Sequence, residues 1–300
     1  MGCAISSFIA CMWCANGCNA SRVADQFAFF PPEPPTYTID DSEDGVEHIR
    51  LMLPGVDSPL VKVSVKTIRT QQDTTIPVFA FKVKAPSCHV LFSHGNAMDC
   101  GVMYQFWVEF ALRLNVNLYA YDYSGYGRAT GKPTEANTYG DIMAVFEYMI
   151  SEGISPGDII AYGQSVGSGP SCYLASEENC KGLVLHSPLT TGIGVITSQE
   201  GICAPTYCYR SCDMFPNIRR LPSVRCPVFI MHGTEDQVID VSHGQKLYNK
   251  LPRQYRYPPY FVEGADHDDV FERDPAEYFT RLKEFLVATQ RQTSLSYGTI

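Results

Sequence analysis

The stretch DIIAYGQSVGSGP, Asp158 to Pro170, runs four apolar residues into a serine ringed by Gly163, Gly167 and Gly169. Ile159 to Tyr162 suit a buried strand, and small residues after Ser165 suit a helix packed close against it. Gly163-Gln164-Ser165-Val166-Gly167 fits G-x-S-x-G, the pattern of a strand-to-helix turn that presents a serine hydroxyl. Glycines there leave room for the turn to pack. The pattern is short, so its context has to carry the inference.

That context is a series of similar runs. HVLFSHG, NLYAYDY, GLVLHSP, PVFIMHG and YFVEG are nearly continuous apolar segments, as strands covered on both faces of a parallel sheet should be. VKVSVKTI and PVFAFKVKA before them alternate apolar and polar residues and predict half-exposed antiparallel strands. Helical spacing joins Val102, Met103, Phe106, Trp107, Phe110 and Leu114, and again Ile142, Val145, Phe146 and Met149. A last helix opens at Asp274 with Pro275 in its first turn and carries Tyr278, Phe279, Leu282, Phe285 and Leu286 on one face. Alternating strands and helices predict an α/β fold: a mostly parallel eight-stranded sheet, helices on both faces, residues 48–290.

Ligands in such sheets gather at the carboxyl ends of the strands. Four of those ends read SHGNA, GQSVG, HGTED and GADHDD. Packing alone does not call for polar side chains flanked by glycine at all four.

A serine hydroxyl becomes a nucleophile when a base removes its proton and a third group orients the base. Among seven histidines, His48 and His89 precede or begin strands and His186 lies in a strand end. His94 and His232 sit in His-Gly pairs suited to structural or oxyanion-loop roles, and His243 opens a helix. His267 follows the last strand, giving the chain order serine, acid, histidine of an α/β-hydrolase. Asp236, after PVFIMHG, is the candidate acid, with Glu235 and Asp240 as rivals. Asp266, Asp268 and Asp269 are expected to cap loops. Backbone N–H groups of Val166 and Asn96, with Ala97 as the fallback for the latter, are the candidate oxyanion donors. No metal or other cofactor is required.

The net charge of -9 argues against nucleic acid as a partner, and no Lys/Arg cluster stands out. Hydrophobic residues make up 45% of the 300-residue chain, enough to bury a sizeable core. Four of the twelve cysteines fall in the first eighteen residues. MGCAIS fits the myristoylation pattern, with Gly2 as acceptor, and Cys3, Cys11, Cys14 and Cys18 are palmitoylation candidates. One myristoyl chain holds a membrane only marginally and no polybasic patch supports it, so the cysteines would have to supply the second signal. A zinc site on Cys11 and Cys14 lacks a second ligand pair nearby. Residues 1–20 are therefore expected to be a lipidated anchor, 21–47 a Pro-rich acidic linker, 190–224 a cap-like insertion and 291–300 a tail.

The ordered blocks LFSHGNA, YDYSGYG, GKPTE, YGQSVG, LHSPL, HGTEDQVID and VEGADH, between Thr75 and Val287, resemble the α/β-hydrolase domain-containing protein 17 family of serine hydrolases. The resemblance implies removal of palmitate from S-acylated proteins, with Ser165 as nucleophile, Asp236 as acid and His267 as base. It also implies acyl chains that hold the protein to a membrane; the expected setting is a monomer on the cytoplasmic face of a plasma or endosomal membrane, acting on S-palmitoylated membrane-associated proteins. The triad equally serves oxygen esters, so a lipid esterase or monoacylglycerol lipase is the alternative within the class. A non-catalytic membrane-docked binding protein is the alternative outside it.

Overall fold

The computed structural model describes residues 28–41, 47–52, 58–198 and 213–296. The acylation candidates Gly2, Cys3, Cys11, Cys14 and Cys18 lie outside these residues, as do Cys203, Cys208 and Cys212 of the expected cap.

Eight strands form one sheet: β3 (Lys62–Arg69), β4 (Thr75–Lys82), β5 (His89–Ser93), β6 (Asn117–Tyr121), β7 (Ile159–Gln164), β8 (Gly182–His186), β9 (Val228–Gly233) and β10 (Tyr260–Val262). Across the sheet they stand in the order β10-β9-β8-β7-β5-β6-β4-β3. β4 runs antiparallel to both neighbours, β3 and β6, and the other strands are mutually parallel. These are the eight runs read from the sequence.

The helices are α1 (Cys100–Leu114), α2 (Glu135–Ser151), α3 (Ser168–Glu177), α4 (Gly192–Ser198), α5 (Asn217–Arg220), α6 (Ser242–Lys250), α7 (Val270–Arg273) and α8 (Pro275–Ser296). Successive side chains of a strand point to opposite faces, and here each face has its own core. Leu91, Ile159, Ala161, Leu183, Leu185 and Ile230 pack with residues of α2, α3 and α6. Val90, Phe92, Ile160, Tyr162, Val184 and Phe229 pack with residues of α1 and α8. Two-sided burial is the reason those strands read as unbroken apolar runs.

Local signals set the helix ends. The Asp99 carboxylate accepts from Gly101 N and Val102 N at the start of α1, and Asn115 closes it in the left-handed conformation. Asp274 Oδ1 accepts from Glu277 N (3.0 Å) at the start of α8. That helix continues to Ser296, through most of the stretch expected to be a tail.

The expected linker also needs correction. In its described part, Tyr37–Asp41 (β1) pairs antiparallel with Glu47–Leu51 (β2). Phe29 and Tyr37 are buried, and the Tyr37 ring stands edge-on to Phe79 at 5.1 Å. Burying each aromatic is worth about 1.5–3 kcal/mol. The prolines at 31, 32, 34 and 35 lower the conformational entropy lost on docking. The proline content that suggests a spacer thus helps the segment lie down on the domain. Val102, assigned to the core face of α1, is instead half-exposed.

Between β5 and β7 the strand order reverses: the chain leaves β5 through α1 for β6 on one side, then returns through α2 to β7 on the other. The loops after β5 and β7 therefore diverge at the carboxyl end, and the crevice between them is the expected place for a site.

A buried carboxyl at this end makes stability depend on pH. Asp141 in α2 accepts from Ser124 N (2.7 Å) and Ser124 Oγ (2.8 Å), yet burial pushes its pKa up to about 7 against those bonds. The folded state then holds a proton the unfolded chain releases near pH 4. The associated stability is complete below that pH and is lost as pH rises through about 7. The thermal midpoint of Asp141→Asn is expected to fall less steeply with pH over this window than that of the wild type; parallel profiles would contradict the assignment.

Candidate active site

At the end of β7 the chain turns into α3 through a single helical turn, Ser165–Gly167. Ser165 holds φ at 53°, in the left-handed region that costs a non-glycine residue on the order of 1–3 kcal/mol. Packing enforces the turn. A Cβ on Gly163 would stand 2.4 Å from the Gly167 carbonyl oxygen, and one on Gly167 would stand 2.2 Å from the Ser93 carbonyl oxygen. Gly169 lies against the Phe215 ring, where a Cβ would sit at 2.1 Å. The glycines are needed for close approach; the left-handed conformation falls on the serine itself.

Two more strand ends converge on that hydroxyl. His267, in the loop after β10, has Nε2 3.0 Å from Ser165 Oγ. Its Nδ1 donates to Asp236 Oδ2 (2.7 Å), in the loop after β9. A carboxylate only accepts, so this bond places the ring proton on Nδ1 and leaves the Nε2 lone pair toward the serine. All three side chains are nearly buried.

The acid is itself held. Burial alone would raise the Asp236 pKa, but hydrogen bonds from His232, His267 and Ile239 outweigh it and hold the carboxyl well below the usual range. Oδ1 accepts from Val238 N (2.9 Å) and Ile239 N (2.7 Å). His232 Nε2 donates to the Ile239 carbonyl (2.7 Å) and lies 3.1 Å from Asp236 Oδ2. His232 therefore braces the carboxylate, a role its place in a His-Gly pair does not reveal. The rivals are elsewhere: Glu235 and Asp240 are exposed, and Asp240 caps the Ser242 N–H. Asp266 accepts from His267 N (2.7 Å) and Gln237 N (2.8 Å), tying the histidine loop to the acid loop. Asp269 in turn accepts from Asp266 N (2.6 Å).

Of the other histidines, His48 is exposed on β2, His89 is half-buried at the start of β5, and His94, His243 and His186 are buried. His94 bonds its own loop at the Gly95 carbonyl (2.7 Å), and its Nε2 faces Asp122 at 3.3 Å. His243 Nδ1 accepts from Thr190 N (3.0 Å). His186, beside Tyr162 OH at 3.0 Å, is pushed down to about 3 by burial and then by His267 and His232, and stays neutral.

The loop after β5 lies against the elbow, with Gly95 beside the Gln164 side chain. YDYSGYG holds it. Tyr121 OH meets Ser93 Oγ (2.9 Å), Tyr123 OH donates to the His94 carbonyl (2.6 Å), and Tyr126 OH donates to Asn96 Oδ1 (2.6 Å). The Ala97 N–H is taken by Asn96 Oδ1 (3.0 Å). Among the described residues the Asn96 backbone N–H has no such partner. Val166 N belongs to the first turn of a helix, whose N–H groups lack intrahelical acceptors. In the sequence YDYSGYG stands only as one of the family blocks, and the spacing of its three tyrosines is the one signal of this holding role.

Part of the expected cap covers the base of α3 rather than standing apart from it. Phe215 is buried against Gly169, and Asn217 Nδ2 donates to Ser168 Oγ (3.1 Å) and to the Leu189 carbonyl (3.0 Å). Among the described residues no group of three or more His, Cys, Asp or Glu could hold a metal, and no helix is long and apolar enough to cross a membrane.

Chemically, the arrangement offers a serine hydroxyl with a base in reach, a braced acid behind the base, and unspent backbone N–H groups nearby. Gly167→Ala tests the packing constraint on it. The variant is expected to lose about 3 kcal/mol of stability or fail to fold. Gly157→Ala, whose Cβ would meet nothing nearer than 3.9 Å, is expected to match the wild type. An unchanged melting temperature for Gly167→Ala would contradict the packing argument.

The family model of the α/β-hydrolase fold matches residues 89–202. The protein aho-3 of Caenorhabditis elegans, an α/β-hydrolase domain-containing protein, is 40% identical over 283 residues, covering 93% of this chain and 81% of that protein. Human α/β-hydrolase domain-containing protein 17B is 38% identical over 287 residues, covering 93% of this chain and 96% of that protein. Among solved structures, the Pyrococcus furiosus esterase Pf2001 superposes with a TM-score of 0.62 at 19% identity, over 78% of this chain and 98% of that one. The esterase RhEst1 from Rhodococcus gives 0.56 at 21%, over 75% and 99%. These two show likeness of fold.

Proposed function

Since this chain belongs to the α/β-hydrolase domain-containing protein 17 family and is an α/β-hydrolase, we propose that it is a serine hydrolase that cleaves palmitoyl thioesters from S-acylated cysteines of membrane-associated proteins. The observation that carries the serine mechanism is the unbroken line from Asp236 through His267 to Ser165 at 2.7 and 3.0 Å.

In this mechanism Ser165 Oγ attacks the thioester carbonyl while His267 Nε2 takes its proton. Asp236 stabilises the imidazolium without taking up the proton. The tetrahedral oxyanion is met by the N–H groups of Val166 and Asn96, each worth on the order of 3 kcal/mol when aimed beforehand. The intermediate collapses with loss of the cysteine thiolate, which takes the proton from His267. Water, deprotonated by the same histidine, then attacks the acyl-serine ester and releases palmitate.

The thioester assignment is supported by the family resemblance of the ordered blocks. Membrane placement is supported by MGCAIS and the cysteines at 3, 11, 14 and 18. An enzyme and a substrate sharing one surface meet at a raised effective concentration.

The test compares wild type and Ser165→Ala on an S-palmitoyl peptide, an O-acyl glycerol and a fluorophosphonate probe. Wild type is expected to bind the probe and cleave the thioester, and Ser165→Ala to lose at least about 10³-fold in kcat. Probe-inert wild type would overturn the serine mechanism; cleavage of the glycerol ester alone would overturn the thioester assignment. Membrane fractionation of Gly2→Ala combined with serine at the four cysteines is expected to release the protein; a variant that stays membrane-bound would overturn the lipid anchor.

A further inference from the structure

We propose that the segment Ala28–Tyr37 is a strap that positions the oxyanion loop, with Phe29 and the Asn96 side chain as its lock; the inference rests on the hydrolase reading of the site. Asn96 engages the strap with both ends of its side-chain amide, while Oδ1 also accepts from Ala97 N within the loop (3.0 Å). Its Nδ2 donates to the Ala28 carbonyl (2.8 Å), and its Oδ1 accepts from Phe30 N (2.9 Å). The amide thus pairs with the backbone on either side of Phe29 as a neighbouring strand would. Tyr126 OH reinforces the pairing by accepting from Phe30 N (3.0 Å) while donating to Asn96 Oδ1 (2.6 Å).

Phe29 supplies the packing. Its buried ring stands edge-on to Tyr126 (6.4 Å) on one side and Phe215 (6.0 Å) on the other. Neither ring partner is a reacting group. The far end of the strap is fastened as well. Thr36 N donates to Asp99 Oδ2 (2.7 Å), the carboxylate that caps α1, and Thr36 Oγ1 donates to Asp99 Oδ1. Tyr37 OH donates to Asp122, whose other oxygen accepts from Cys100 N (2.9 Å). The loop from His94 to Cys100 is consequently held near both ends by one stretch of chain.

The loop needs an external restraint. Ala97 holds φ at 54°, a conformation that persists only where its surroundings impose it. An oxyanion donor contributes by being aimed before the reaction, so a loop free to turn the Asn96 peptide loses rate without losing substrate affinity. Phe29 and Asn96 are thus expected to act as one unit, and Phe29 is a positioning residue.

The test uses the full-length chain and a short soluble p-nitrophenyl ester, with hydrogen exchange of the 93–98 amides read in parallel. Phe29→Ala and Asn96→Ala are each expected to lower kcat by on the order of 10-fold or more with KM within about twofold, and to speed exchange in the loop. The double variant is expected to be little worse than either single one, and Phe29→Leu, which refills the pocket, to restore most of the rate. If Phe29→Ala proves too unstable to purify, Tyr126→Phe, which removes the hydroxyl joining Phe30 N to Asn96 Oδ1, takes its place and is expected to lower kcat and speed loop exchange in the same direction; wild-type kcat and exchange in it would overturn the proposal. Wild-type kcat in Phe29→Ala, or additive losses in the double variant, would overturn the proposal. A wild type inert to every ester would sink the hydrolase reading instead; the exchange data would then judge the strap, and unchanged exchange in Phe29→Ala would overturn it.

Discussion

The carbonyl oxygens of Ser93 and His94 stand where a side chain on residue 167 would have to go, and the Gly167 carbonyl stands where one on residue 163 would have to go. β5, β7 and the start of α3 can come this close only with hydrogen at those two positions. The same closeness bends Ser165 into the left-handed conformation and lifts its hydroxyl clear of the sheet. Everything proposed for the site depends on this approach. The loop carrying Asn96 continues directly from Ser93, so the contact that shapes the elbow also brings the candidate oxyanion donor beside it.

Around that point the polar groups are arranged so that each functional side chain is held by a neighbour that does no chemistry. His232 and two backbone N–H groups brace Asp236, Asp266 fixes the backbone of His267, and the tyrosines of YDYSGYG hold the loop from Ser93 to Asn96. A buried carboxylate without such donors would take up a proton rather than ionise. Asp236 stays ionised because Val238 N, Ile239 N and His267 Nδ1 donate to it and His232 Nε2 lies 3.1 Å away, whereas Asp141, reached only by Ser124, is pushed up to about 7.

The sheet and the three converging side chains were legible in the sequence because strands buried on both faces leave unbroken apolar runs and their polar ends stand out. Choosing Asp236 over Glu235 and Asp240 was a matter of position after β9. The structure separates them by pointing two of the three carboxylates to solvent. What could not be read were contacts between distant stretches joined by few residues. Phe29 and Tyr37 are two aromatics in a proline-rich run, and no periodicity marks them as anchors. His232 looks like any histidine before a glycine until Ile239 and Asp236 are seen on either side of it. The helical part of the expected tail has no such mark, because the apolar stripe of α8 thins after Leu286 while the backbone stays helical to Ser296.

The proposed mechanism stands on covalent acylation of Ser165. Mixing the wild-type chain with an S-palmitoyl peptide, quenching in acid within milliseconds to seconds and mapping the modified peptide by mass spectrometry reads this directly. A palmitoyl adduct is expected on the peptide containing Ser165, forming and decaying within the time course. Turnover of the substrate with no adduct at Ser165, or with the adduct on another residue, would contradict it.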